Sequence, residues 1–290
     1  MGDAHRRHLR RQRGRSTTVE PSTNCAKLTH MTTHALFVGH GSPMNAIEDN
    51  TFTRTWRTLG KNISTHTPRA ILSISAHWYT RGTGVTAMTN PKTIHDFWGF
   101  PPELHTTQYN APGDPEIAEL VKDLAKPDLV ASDYNWGLDH GTWSVLKHMF
   151  PEAKIPVVQL SIDGTKPFDH HVQLGHQLAR LATEHNVLIV GSGNVVHNLS
   201  MVQPHAGDTG FGWADSFDHA AAELMLESPE RVETLLEHDA YARAVPTPDH
   251  FLPLAYVAGV SAALDDHTVT AFNDKRTMGS LSMTGYQVAS

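Results

Sequence analysis

Four short runs of consecutive apolar residues divide the first two thirds of the chain, each followed by a polar or glycine-rich break. They are Ala35-Leu36-Phe37-Val38, Ala70-Ile71-Leu72-Ser73-Ile74-Ser75, Ile155-Pro156-Val157-Val158-Gln159-Leu160-Ser161 and Val187-Leu188-Ile189-Val190. Runs this short, apolar on both parities and rich in β-branched residues, predict strands covered on both faces. Val85-Thr86-Ala87 and Ser280-Leu281-Ser282-Met283 are expected to add edge strands. Between the runs lie stretches with apolar residues at helical spacing: one opened by Asp114-Pro115 and running to about Ala125, then Thr142 to Met149, His170 to His185, Trp213 to Leu226, Pro229 to Leu236 and His250 to Ala263. Asp114-Pro115 is a helix start signal, a capping carboxylate followed by a first-turn proline. The segment from Thr89 to Ala111 has no clear period and is rich in Pro, Gly and aromatics, which suggests a loop lining a site. Strands alternating with helices predict an α/β fold: a single domain with a mostly parallel central sheet flanked by helices on both faces.

Composition narrows the function classes. The chain has 290 residues, 39% hydrophobic and 18% charged, which suits a globular protein with a sizeable core. Its charge is uneven: residues 1–30 carry a net +5, so the rest carries −12 of the total −7. An acidic body argues against nucleic acid as a partner, because phosphate binding needs basic surface. The basic head, Arg6 through Arg15, lacks the apolar core of a signal peptide and reads as a disordered extension, with the folded domain spanning 31–290 and Met31 a candidate natural start. No run is long enough for a membrane helix. Cys25 is the single cysteine, so no internal disulfide can form and a cytoplasmic location is expected.

The chain has 21 histidines, and three of them stand at or just beyond the carboxyl ends of expected strands. His40 lies in Gly39-His40-Gly41-Ser42-Pro43, His77 in Ala76-His77-Trp78, and His197 in Gly193-Asn194-Val195-Val196-His197-Asn198. Open α/β sheets bind ligands at the carboxyl ends of their strands, so these histidines can converge although far apart in sequence. Ligands gathered from several loops suit a catalytic metal site. Each strand-end histidine alone more readily fits a structural or surface role, and it is three on equivalent strand ends that shift the balance towards a shared site. His140 precedes a helix beside Asp139, where it could face an oxygen anion or where Asp139 could cap the helix. His95 and Asp96, beside Phe97 and Trp98, could line a pocket. His170, His171 and His176 fall at helical spacing and read as solvated helix faces.

Six segments occur together in a recognisable order: Gly39-His40-Gly41-Ser42-Pro43-Met44-Asn45, Ser75-Ala76-His77-Trp78, Asp139-His140-Gly141-Thr142-Trp143, Val158-Gln159-Leu160-Ser161-Ile162-Asp163, Gly193-Asn194-Val195-Val196-His197-Asn198 and Thr247-Pro248-Asp249-His250-Phe251-Leu252-Pro253-Leu254. Over residues 34 to 290 the chain resembles the 4,5-DOPA extradiol dioxygenase family, a branch of the class III ring-cleaving dioxygenases. The resemblance implies a mononuclear non-haem metal with His40, His77 and His250 as ligands. It also implies that His197 is the base, close enough to the metal to be a fourth ligand, and that His140 contacts substrate or dioxygen. Phe97, Trp98 and Tyr109 are expected to wall the aromatic ring.

The implied partners are a small aromatic diol and dioxygen, without nucleic acid or membrane, in a monomer or small homo-oligomer. The ligand set departs from the two-histidine, one-carboxylate pattern of many non-haem Fe(II) oxygenases, because His250 stands at the carboxylate position with Asp249 adjacent. Dioxygenase activity calls for Fe(II), whereas an all-nitrogen set is also one in which Zn(II) is expected to be found. Two other classes fit the same residues: a zinc-dependent hydrolase, and a non-catalytic binding protein on the same fold.

Overall fold

The alternation within the apolar runs explains how one sheet serves two cores. The computed structural model describes residues Thr32–Ser290; the expected basic extension, 1–30, lies outside the described residues. In chain order the first half contains β1 (Thr33–Gly39), α1 (Thr51–Ile63), β2 (Ala70–Thr80), β3 (Thr83–Thr86), α2 (Pro102–Thr106), α3 (Pro115–Leu124), β4 (Val130–Asp133) and α4 (His140–Met149). There follow β5 (Val157–Asp163), α5 (Phe168–His185), β6 (Val187–Gly193), α6 (Gly212–Glu227), α7 (Tyr241–Ala244) and α8 (Leu252–Ala262). The chain closes with β7 (Thr268–Phe272), β8 (Arg276–Thr277), β9 (Leu281–Ser282) and β10 (Gly285–Ala289). Eight strands form one sheet in the order β4-β3-β5-β2-β6-β1-β10-β7, and β8 pairs with β9 separately. The centre is parallel, with β1 on β6, β6 on β2 and β2 on β5, while β10 joins β1 antiparallel.

Successive side chains on a strand point to opposite faces. Leu36, Val38, Ile71, Leu188 and Val190 accordingly pack with Trp56 of α1 and Trp143 of α4. Their neighbours Ala35, Phe37, Leu72, Ile74 and Ile189 pack on the other face with Leu178 of α5 and Val257 of α8. Helix α8 is apolar all round and buried from Leu252 to Ser261, so it fills the centre of its layer. Caps set the helix starts: Asp114 accepts from the backbone of Glu116 and Ile117 at α3, and Asp139 accepts from Thr142 N–H at α4.

Several sequence expectations shift. Strand β2 runs on to Thr80, so His77 lies within it and not beyond its end. Val85 belongs to β3, which sits inside the sheet between β4 and β5 and not at its edge. The expected C-terminal strand shrinks to the two residues of β9, and the sheet instead takes β10. Pro229–Glu237 is a 3-10 helix, and the helix expected from His250 starts at Leu252. His171 is not solvated. It is fully buried, with its Nδ1 3.0 Å from the Tyr256 hydroxyl, because α8 covers that side of α5. Among the described residues no helix is long and apolar enough to cross a membrane.

Candidate metal centre

The parity that places Leu36 and Val38 against α4 continues to His40, and that of Ile71 continues through Ser73 and Ser75 to His77. Towards the carboxyl ends of the strands this face changes from apolar to polar. Ser73 Oγ lies 2.8 Å from Thr142 Oγ1, and Ser75 Oγ donates to Asp139 Oδ1 at 2.7 Å. Ser192 Oγ donates to the Gly141 carbonyl at 2.6 Å. These hydroxyls anchor the first turn of α4 to the strand ends and bring His140 to the cluster. Between the Ile74–Leu160 and Tyr79–Ile162 pairs, β2 carries more residues than β5, a bulge containing His77. Bulges of this kind re-aim side chains near functional sites.

Gly141 permits the close approach: a Cβ there would lie 2.5 Å from Ser75 Oγ and 2.9 Å from His77 Cδ2. Gly193 does the same for the segment before α8, since its Cβ would fall 2.1 Å from the His250 carbonyl oxygen. Asn194 N–H donates to that carbonyl at 2.8 Å, tying His250 to the end of β6.

Five histidines meet here. The His40 ring centroid lies 5.1 Å from His77, 5.3 Å from His250 and 5.8 Å from His140. His77 and His140 are 3.8 Å apart, and His197 stacks on His250 at 3.5 Å with the planes only 6° apart. His40, His77 and His140 each offer a ring nitrogen within 4.8 Å of the other two. The sequence-derived ligand set named His250 and His197 where this closest triad contains His140.

Hydrogen bonds fix several tautomers. The single Ser192 hydroxyl proton goes to the Gly141 carbonyl, so Ser192 Oγ must accept from His40 Nδ1–H at 3.0 Å. His77 Nδ1 lies 3.3 Å from Asp96 Oδ2, and His250 Nδ1–H donates to Asp249 Oδ2. A neutral imidazole that gives its proton at Nδ1 keeps a lone pair at Nε2. His40 Nε2 and His77 Nε2 are 3.2 Å apart, so the His40 lone pair faces the His77 ring nitrogen. Burial, then the charges of the neighbouring histidines, hold His40 and His77 well below the usual imidazole range. Burial pushes His197 down to about 3. Neutral imidazoles backed at Nδ1 by oxygen, with free Nε2 atoms converging, form a donor set that fits a divalent metal.

Carboxylates organise the surroundings. Sequence reading put Asp96 in a pocket wall. The structure places its Oδ2 3.0 Å from His140 Nδ1 as well as beside His77, while its Oδ1 accepts from the His140 backbone N–H at 3.0 Å. Although burial opposes it, contact with His140 and His77 holds the Asp96 carboxyl below its ordinary value. The fully buried Asp139, which caps α4, is pushed up to about 6 by burial and then by the charge of Asp96. Nothing in local sequence links Asp96 to His77 and His140, its two imidazole partners, which come from other segments.

A cavity of about 290 Å³ opens onto His40, His77, His140, His197 and His250, with Phe100, Leu199, Val202, Met278 and Leu281 among its walls. Of the aromatics expected there, Phe97 sits edge-on to His140 at 5.4 Å. Trp98 is 86% exposed, and Tyr109 is buried with its hydroxyl donating to the Phe150 carbonyl at 3.1 Å. His95 is engaged with the Thr107 carbonyl at 2.7 Å.

Residues 24–286 match the family described as the catalytic LigB subunit of aromatic ring-opening dioxygenase. The chain is 47% identical over 259 residues to the 4,5-DOPA dioxygenase extradiol of Escherichia coli (strain K12), covering 88% of this chain and 94% of that one. It is 39% identical over 236 residues to the 4,5-DOPA dioxygenase extradiol of Beta vulgaris, covering 78% and 85% respectively. The crystal structure of an uncharacterized protein from Escherichia coli K12 matches with a TM-score of 0.74 at 44% identity, covering 87% of this chain and 98% of that one. With sequence and fold in agreement over nearly its whole length, the chain belongs to the LigB family of aromatic ring-opening dioxygenases and is an extradiol dioxygenase.

Proposed function

We propose that this enzyme opens the ring of a catechol such as DOPA, using one divalent metal held by His40, His77 and His250 with His197 beside them. DOPA enters through the names of the relatives. The observation that carries the ligand assignment is the 3.2 Å approach of His40 Nε2 to His77 Nε2, two buried ring nitrogens close enough to share one cation. His250 joins this set because Asp249 fixes its proton at Nδ1 in the same way.

Fe(II), when bound, would supply open positions for both catechol oxygens and for dioxygen; zinc fits the same nitrogens but supplies no redox chemistry. His197 lines the same cavity, and its ring nitrogen is the group placed to take a proton from a catechol hydroxyl. His140 lines the same cavity with the Asp96 carboxylate behind it, a pairing that lets an imidazole donate to a negative oxygen. Phe97 braces His140, and the apolar walls exclude water from the reacting ring. A reducing, cytoplasmic setting suits a chain with one cysteine.

The test is anaerobic loading with Fe(II), verification of metal content, and addition of air with DOPA or unsubstituted catechol. Oxygen uptake with a coloured ring-opened product is expected. No uptake with either substrate at full metal content would overturn the proposal. Oxygen-independent turnover that survives replacement of iron by zinc would instead identify a hydrolase.

A further inference from the structure

Two cavities share a wall beside the histidines. The histidine cavity, of about 290 Å³, is bounded away from the imidazoles by apolar side chains, among them Phe100, Leu281 and Met278. A second cavity of about 340 Å³ adjoins it, and Ser42 and Met278 line both. The second chamber is polar where the first is not, with Asn45, Glu48, Asn50, Thr51 and Thr277 among its walls. It is also tied to His40. Asn50 Nδ2 donates to Asn45 Oδ1 at 2.8 Å, and Asn45 Nδ2 donates to the His40 carbonyl at 2.9 Å.

The backbone of Met278 is unusual. Its φ is 52°, in the left-handed region that glycine enters freely and a methionine only against steric resistance, and Gly279 follows at 81°. Neighbouring backbone holds the turn there. Met278 N–H donates to the Gly207 carbonyl at 2.8 Å, and Gln203 N–H donates to the Met278 carbonyl at 2.8 Å. Phe211 N–H donates to the Gly279 carbonyl at 2.8 Å. Arg276, in the strand before the turn, is anchored on Asp215 and Asp218 at 2.8 and 2.7 Å. A residue kept in a disfavoured conformation by its surroundings points to a task for its side chain. Here an unbranched thioether can turn about its own bonds while the main chain stays fixed.

We infer that Met278 is a specificity-determining residue: its side chain divides the site into a ring chamber at the histidines and a polar tail chamber beyond, and so limits the length of substituent a catechol can carry. This rests on the ring-opening reading, which puts the two catechol oxygens at the histidines. The ring chamber, about 290 Å³, is at the bottom of the roughly 300–1,000 Å³ usual for small-molecule sites, so it holds a catechol with a tail as short as that of DOPA. A longer polar tail has to pass Met278. Beyond it, the amides, hydroxyls and carboxylates of the second chamber can bond to the polar groups of that tail.

The experiment compares DOPA with the dipeptide DOPA-glycine, whose tail is longer by one polar residue, in the full chain loaded with Fe(II). Dissociation constants are measured anaerobically by calorimetry, and kcat and KM by oxygen uptake. The parent should favour DOPA by at least about tenfold in both affinity and kcat/KM. Met278→Gly and Met278→Ala both remove the partition, and each should bring the ratio to within about threefold of unity, through KM for the dipeptide and not through kcat. Glycine also suits the left-handed backbone, so Met278→Gly is expected to fold at least as well as the parent. Met278→Leu fills a similar volume and should keep the parent ratio. A parent that takes DOPA-glycine as well as DOPA, its tail leaving past the 65% exposed Leu199, overturns the inference. So does a ratio unchanged in both small variants. Relief in Met278→Gly alone would mean that a freer backbone admits the tail, and overturns it too. No oxygen uptake with DOPA in the parent or any variant would sink the ring-opening reading, while the binding ratio would still judge the partition.

Discussion

Two of the regions that bury histidines lie on opposite faces of the same sheet, and they bury them for different reasons. Beneath α8, His171 is fully buried and has Tyr256 as its hydroxyl partner. Burial and then the neighbouring His170 push it down to about 4. At the carboxyl ends of β1 and β2, His40 and His77 are depressed as well, but by neighbouring histidines in addition to burial. His171 is a polar group held in a core with a hydroxyl at its Nδ1. The cluster is a set of imidazoles whose nitrogens converge on one cavity. Depressed basicity alone therefore does not mark a metal site; convergence of unprotonated nitrogens backed by oxygen does.

The strongest way to break this contrast is His77→Ala. It should abolish stoichiometric metal binding, read by elemental analysis, and reduce ring opening by at least about a thousandfold. Retained metal and activity would refute the assignment. Asp96→Asn tests the oxygen backing: loss of an outer carboxylate typically costs about 10–100-fold in metal affinity or activity. The same change made at exposed Asp123, which only meets Lys126, should cost neither.

Acid unfolding sharpens the other half. Because His171 is depressed in the folded state, the unfolded chain binds more protons between about pH 6.5 and pH 4. The stability that neutral His171 contributes is present above that window and lost as pH falls through it, on the order of 3 kcal/mol for a shift of this size. His171→Gln should flatten this segment of a pH-dependent denaturation curve while leaving metal content intact. A variant that loses stability as steeply as the parent between pH 6.5 and 4 would show that His171 is not the group responsible. Zinc binding should have the smallest effect, raising Tm by several degrees at about 100-fold excess over Kd. It should act in His171→Gln as in the parent, and not in His77→Ala.

Much of the fold was legible in the chain. The four apolar runs became β1, β2, β5 and β6, and these are contiguous in the sheet, because a strand covered on both faces must be apolar at both parities. Asp114-Pro115 set the start of α3 through a purely local interaction. Strands β7 and β10 were not read, since Thr268–Phe272 and Gly285–Ala289 lack a strong apolar run and are stabilised by pairing outward from β1. Helix α1 was likewise missed, although Asn50 and Thr53 form a reciprocal cap at its start.

Sequence by itself determined the chemical inventory of the site: neutral nitrogen donors at strand ends, with no thiolate framework and no local knuckle spacing. Strand parity also committed Ile71, Ser73 and Ser75 to one face, because that alternation is a property of the extended backbone. Tertiary structure decided which groups meet. It joined Asp96 to two imidazoles, set His197 flat against His250, buried His171 away from the site, and brought Leu199 and Met278 to one wall. Those contacts join residues from distant segments, and their geometry is set by packing and register that no local pattern encodes.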